Sequence, residues 1–306
     1  MLINSLGSRQ QSSPSGDGAG RRLDPVDVLI FAPHPDDEVI GTGGVIQQAL
    51  ETGKRVRIVF VTNGDGSKKA AAALLQKAVS SLGEDDFVHL ARRRQQEAIA
   101  ADVKLGLSSS DLVFLGYPDG VLARVYEGTS GEPVRSPTTG RTMTYGLVEK
   151  DYHTLAHGLP AAYARQSALT DLEEVLRDSR PTQIYVTDPA DQHRDHVATY
   201  SFVRDAMVAL GLQNPLLTFV VHNGPGWPRP IGPTPNSPFE SHTIDSTTYP
   251  IGVSWPPPIR LPLVEGQSAR KLAALDTIFS QIAAPKDRLY LESFVKSEEV
   301  FWTRQP

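Results

Sequence analysis

The chain has 306 residues, 40% of them hydrophobic and 21% charged, with a formal net charge of −5; that length suits one large domain or two small ones with a sizeable core. It has no cysteine, which excludes disulfides, thiolate metal sites and a cysteine nucleophile. The negative balance gives no electrostatic case for nucleic acid or an anionic membrane, and no stretch approaches the ~20 apolar residues of a membrane span.

Residues 1–22, rich in Ser, Gly and Gln, read as a disordered tail ahead of a single domain over 23–306. Arg21-Arg22 is followed by two acids and a proline, not by an apolar export core, so a cytoplasmic location is expected. Val26 to Phe31 is a nearly continuous apolar run, as expected of a central strand covered on both faces. It enters the turn Ala32-Pro33-His34-Pro35-Asp36-Asp37-Glu38, and a helix follows over Val39–Leu50, ended by Gly53. The prolines around His34 fix φ twice and restrain the residues before them, so the loop presents its side chains at low entropic cost.

Arg55 to Val61 is a second strand, closed by Thr62-Asn63-Gly64-Asp65-Gly66. A polar stretch leads to an amphipathic helix over 88–106, and Asp111 to Leu115 is a third strand ending in Gly116-Tyr117-Pro118-Asp119-Gly120. Residues 121–165 show no clear period and read as an insertion, helical near 155–165. A helix over 167–178 leads to a fourth strand, Gln183 to Thr187, then to the loop Asp188–His196 and a helix to Leu210. Leu216 to Val221 is the fifth strand. The proline-rich stretch 223–263 reads as an excursion of the same domain with little regular structure, followed by a helix over 267–283 and another near the C-terminus.

Strands alternating with helices predict an α/β, Rossmann-like parallel sheet with helices on both faces. In the strand order 3-2-1-4-5, the loops after the first and fourth strands flank the switch point, where such sheets bind ligands. Those loops carry His34, Asp36, Asp37 and Glu38 on one side, and His193, Asp195 and His196 on the other. Two histidines and a carboxylate with one open position form a recurrent catalytic zinc sphere. His193 and His196, three apart at a helix start, share a face. Consecutive Asp36 and Asp37 point in different directions, so one suits metal binding and the other proton transfer. Gly41-Thr42-Gly43-Gly44 lacks the spacing of a dinucleotide loop. His153 and His157 sit four apart without an accompanying carboxylate motif and read as lid or surface residues.

Pro-His-Pro-Asp-Asp-Glu at 33–38 with His-x-Asp-His at 193–196 resembles the PIG-L/LmbE-like zinc de-N-acetylases. Val61-Thr62-Asn63-Gly64, Arg94-x-x-Glu97 with Leu105-Gly106, and Leu115-Gly116-Tyr117-Pro118-Asp119-Gly120 are family-like too, so the likeness spans roughly residues 26–222. The resemblance implies that His34, Asp37 and His196 hold Zn²⁺, that Asp36 is the general base, and that His193, if protonated, stabilises the tetrahedral intermediate. It also implies Arg94 as a sugar contact, although Arg92-Arg93-Arg94 reads equally as a solvated helix face. Asp195 is placed to orient one of its neighbouring histidines, and Asp119 reads as the turn residue of Pro-Asp-Gly or as a contact to substrate hydroxyls. The reaction so implied is hydrolysis of an N-acetyl group on an N-acetylglucosamine-type sugar or glycoside. The rivals are an amidase for another amide, such as a mycothiol-type conjugate, a carbohydrate-binding homologue without turnover, and a metal phosphoesterase. The segments 121–165 and 223–263 are expected to shape the substrate pocket.

Overall fold

The computed structural model describes residues 22–129 and 131–306; apart from Arg22, the expected tail lies outside the described residues. The central element is the strand β1 (Val28–Ala32), all five residues of which are buried. Its neighbours on one side are β2 (Val56–Thr62) and β3 (Leu112–Tyr117), and on the other β4 (Gln183–Thr187) and β5 (Leu216–Phe219). All four pairings are parallel, in the predicted order 3-2-1-4-5.

The sheet does not stop at the fifth strand. β9 (Glu298–Arg304) pairs antiparallel with β5, and β8 (Ile259–Pro262) pairs antiparallel with β9, giving seven strands. The sequence reading placed a helix near the C-terminus and missed the strand beyond it. The helix is there, as α10 (Pro285–Glu292). The expected helix over 267–283 is divided into α8 (Glu265–Leu275) and α9 (Phe279–Ile282).

Side chains alternate across β1. Val28, Ile30 and Ala32 face a core packed with α1 (Asp37–Glu51), α3 (Glu84–Leu105) and the C-terminal helices. Leu29 and Phe31 face a second core with α4 (Leu122–Glu127), α6 (Arg165–Ser179) and α7 (Arg194–Ala209). A strand buried on both faces needs such an uninterrupted apolar run. Two further short helices are α2 (Lys68–Leu75) and α5 (Tyr152–His157). Gly106 ends α3 at φ +105, a left-handed conformation that glycine adopts without a Cβ penalty. The proline-rich stretch is not structureless: it holds β8 and a hairpin of β6 (His242–Ile244) and β7 (Thr247–Tyr249). Its Trp227 stacks on Phe239 inside the first core.

The glycines of α1 serve close packing. A Cβ at Gly41 would stand 2.2 Å from the Phe219 ring, and one at Gly44 would meet the Leu263 side chain at 2.3 Å. Behind them, Glu299 of β9 accepts the amides of Gly44 at 2.7 Å and Val45 at 3.0 Å. Lys271 of α8, fully buried, donates to Glu299 at 2.6 Å and to the Ile40 carbonyl at 2.8 Å. The C-terminal elements thus grip the helix whose first turn carries Asp37.

Candidate metal centre and active site

β1 and β4 are adjacent and parallel, with Ile30 opposite Tyr185, so the loops that leave their carboxyl ends meet. From the first come His34 and Asp37, from the second His196. Their donor atoms form a nearly equilateral triangle. His34 Nδ1 lies 3.2 Å from Asp37 Oδ2, His196 Nε2 lies 3.2 Å from the same oxygen, and the two ring nitrogens are 3.2 Å apart. A four-coordinate ion with nitrogen and oxygen ligands at 2.0–2.1 Å separates neighbouring donors by about 3.3–3.4 Å. Three buried donors at that spacing, two of them neutral nitrogens when deprotonated, fit a divalent cation.

The far side of each imidazole is also held. His34 Nε2 lies 3.2 Å from Asp119 Oδ1 and 3.4 Å from Asp195 Oδ2, so its N–H points at carboxylates and Nδ1 is left as the free donor. Asp195 is fixed by the amides of Gly120 and Leu122. His196 Nδ1 lies 3.2 Å from Asp191 Oδ2. Asp191 in turn accepts the amides of His193, Val221 and His222 at 2.8–2.9 Å. Each imidazole thus has a carboxylate within 3.2 Å of the nitrogen turned away from the triangle. Burial opposes charge on His196, but Asp191 and Asp37 outweigh it and raise the imidazole to about 10.

Asp36 stands apart from the triangle. Its Oδ2 takes an ion pair from Arg94 at 3.0 Å. Burial raises its pKa, the Arg94 charge pulls against that, and Asp37 adds to it. Arg94 also donates to the Gly64 carbonyl at 3.2 Å and lies 3.9 Å from Asp119. Both Arg94 and Asp119 line the cavity. Burial disfavours charge on Asp119, yet His34 and Arg94 hold its carboxyl well below the usual range.

His193 caps α7, its Nδ1 accepting the Asp195 amide at 3.3 Å. Burial, reinforced by the neighbouring histidines, pushes it down to about 3. Those surroundings favour the neutral ring, and because Nδ1 accepts an amide the proton falls on Nε2; the protonated form on which the sequence reading made its role conditional is disfavoured. Asp195 likewise stands behind His34, its neighbour across the site, while Asp191 holds His196.

A cavity of about 460 Å³ opens over these residues. Among the described residues, its lining includes none from 121–165 or 223–263, against the expectation that those segments shape the pocket. Its outer walls are α2 on one side and 280–291 on the other. Glu97 explains the second wall: it accepts the Ser280 amide at 3.0 Å and the Ser280 hydroxyl at 2.6 Å, anchoring α9 to α3.

Three site residues escaped the sequence reading: Asp191, His222 and Tyr290. His222 has its ring 5.0 Å from that of His196, and Tyr290 stacks on it at 5.9 Å while donating to the Val221 carbonyl at 2.7 Å. The position of His222 directly after a parallel strand was a usable signal; Tyr290 offers none, since helix α10 reaches the site only through the tertiary fold. Tyr145 and Trp227 are buried, Tyr145 donating to Asp65 at 2.7 Å.

The family model described as PIG-L, GlcNAc-PI de-N-acetylase, matches residues 29–207. A 1D-myo-inositol 2-acetamido-2-deoxy-alpha-D-glucopyranoside deacetylase of Kineococcus radiotolerans is 29% identical over 210 residues, covering 64% of this chain and 52% of that protein. The chain thus spans about half the length of the curated relatives it matches. Among solved structures, the zinc-inhibited form of a teicoplanin deacetylase superposes with TM-score 0.55 at 15% identity, covering 92% of this chain and 98% of that one. The 4-carboxy-2-hydroxymuconate hydratase of Pseudomonas putida KT2440 superposes with TM-score 0.54 at 16% identity, covering 92% and 97%. Those likenesses concern the fold, which thus accommodates hydrolase and hydratase alike.

Proposed function

This chain belongs to the PIG-L family, and from that premise we propose that it is a Zn²⁺-dependent hydrolase that removes the acetyl group from an N-acetylglucosamine-type sugar or glycoside. His34, Asp37 and His196 would hold the ion. The observation that carries the reading is the 3.2 Å triangle of their donor atoms with a second carboxylate, Asp36, held outside it by Arg94.

Bound Zn²⁺ supplies a Lewis acid for the acetamide carbonyl and lowers the pKa of water to about 7. The protein's own groups do the rest. Asp36 accepts a proton from the attacking water and passes it to the departing amine, and its raised pKa suits both transfers. Arg94 keeps that carboxylate aimed into the cavity. His193 donates its Nε2 proton in a hydrogen bond to the oxygen on which charge develops. A neutral donor beside a dication avoids the repulsion that an imidazolium would suffer. Asp119 and Asp195 act through His34, and Asp191 through His196. A binding protein without turnover has no use for a carboxylate held beside the metal donors, which disfavours that rival. A phosphoesterase that clamps its substrate between two metals needs a second set of donors in the same cavity.

The sugar is of the kind named for the Kineococcus relative, an α-linked N-acetylglucosaminyl inositol. Acetate release from that glycoside, free N-acetylglucosamine, chitooligomers and N-acetylated aminoglycosides tests the reading, with chelator-treated and zinc-restored protein compared. Zinc-dependent release is expected, greatest from the inositol glycoside. Zinc bound stoichiometrically with no acetate from any substrate would overturn it.

A further inference from the structure

The sequence reads His153 and His157 as lid or surface residues, because no carboxylate motif accompanies them. The fold supplies two. α5 packs beside α6, and Asp171 and Glu174, three apart on α6, face the two histidines, four apart on α5. His153 Nδ1 lies 2.6 Å from Asp171 Oδ1, and His157 Nε2 lies 2.9 Å from Glu174 Oε2. The imidazoles stand with centroids 4.3 Å apart, and donor atoms of His153, His157 and Asp171 all lie within 4.8 Å of one another. None of the four lines the catalytic cavity.

We propose that His153, His157 and Asp171, with Glu174 beside them, form a second site for a divalent transition-metal ion, which clips the insertion over 121–165 to α6. Two imidazoles and carboxylates are a donor set for Zn²⁺ and its first-row neighbours, not for Mg²⁺ or Ca²⁺. Asp171 is fully buried and is oriented from behind by the Tyr117 hydroxyl, which donates to its Oδ2 at 2.7 Å. Such support is what a ligating carboxylate receives in built metal sites. Entry is open, since the His157 side chain is 37% exposed. A shared cation would take both rings, whose centroids stand 4.3 Å apart, in their neutral form. The His153–Asp171 contact is a proton-sharing distance, shorter than the roughly 3.3 Å between two ligands of a tetrahedral ion. Binding therefore exchanges that proton for the metal and opens the pair by under an ångström.

The test is metal stoichiometry of the whole chain. Chelator-treated protein is reloaded with excess Zn²⁺, freed of unbound ion and assayed for zinc per chain, with Co²⁺ as a spectroscopic substitute. Wild type is expected to hold two equivalents. His153→Gln with His157→Gln should hold one, keep its acetate release, and lose part of the thermal-midpoint rise that zinc confers on wild type. His196→Ala should hold one as well, at the α5–α6 site, with a Co²⁺ spectrum distinct from that of the histidine-to-glutamine variant. A single equivalent in wild type, absent from His196→Ala, would overturn the second site and leave the catalytic reading untouched. Two equivalents retained by the His153/His157 variant would also overturn it. Far-ultraviolet circular dichroism confirms that each variant is folded.

Discussion

Lys271→Met perturbs one of the buried contacts through which the C-terminal elements hold α1. The Lys271 ammonium is fully buried and makes two hydrogen bonds, to Glu299 and to the Ile40 carbonyl. Methionine keeps most of the apolar stem, so the packing loss is small. What remains is Glu299, buried, with two α1 amides and no countercharge. Removing one partner of a buried pair costs about 3–5 kcal/mol. Glu299→Gln in the same chain removes the stranded charge while an amide oxygen still accepts from α1, so the double variant should recover at least half of that loss. Urea unfolding followed by circular dichroism gives the stabilities, and zinc affinity reports whether the first turn of α1 has moved. A single-variant loss below about 1 kcal/mol, or a double variant no better than the single, would show that the pair does not act as a unit.

The other predictions concern the site itself. Asp36→Asn should lower kcat by about 10²–10⁴-fold with zinc content unchanged, because it removes proton transfer and no donor of the triangle; zinc lost in step with turnover would make Asp36 a ligand. His196→Ala should abolish the catalytic zinc, measured as metal per chain together with acetate release, and full activity in that variant refutes the ligand set. Asp191→Asn should weaken zinc binding by about 10–100-fold by releasing His196, read by competition with a fluorescent chelator. Asp65 tests the electrostatics of the loop after β2. Burial, with Asp119 adding to it, raises its carboxyl to about 6, so its folded pKa exceeds the unfolded one. Its stabilising contribution is complete below pH 4 and lost as pH rises through 6. The stability of wild type minus that of Asp65→Asn should therefore fall by about 2 kcal/mol between pH 4 and pH 7, and a flat difference in thermal midpoint across that range refutes the shift.

Much of this protein was legible locally. The apolar run of β1, buried on both faces, and the alternation of strands and helices determine a parallel sheet, and the switch-point rule then places the loops after β1 and β4 together. His34, Asp36, Asp37, His193 and His196 follow from that placement, because each sits within a few residues of a strand end. What the tertiary structure decided is whatever joins residues distant in the chain. Asp191 holds His196 while Asp195 stands behind His34, a division that depends on how a tight loop folds back on β5. His193 is buried among other imidazoles, which pushes its pKa down, since charge reflects neighbours in space. The outer wall of the cavity comes from 280–291, held by Glu97 of α3, and not from the proline-rich stretch. β9 pairs at the edge of β5 only because α8 to α10 return the chain there. His153 and His157 gain Asp171 and Glu174 by helix packing. Periodicity records which face of an element is buried; it carries no record of which other element will cover that face.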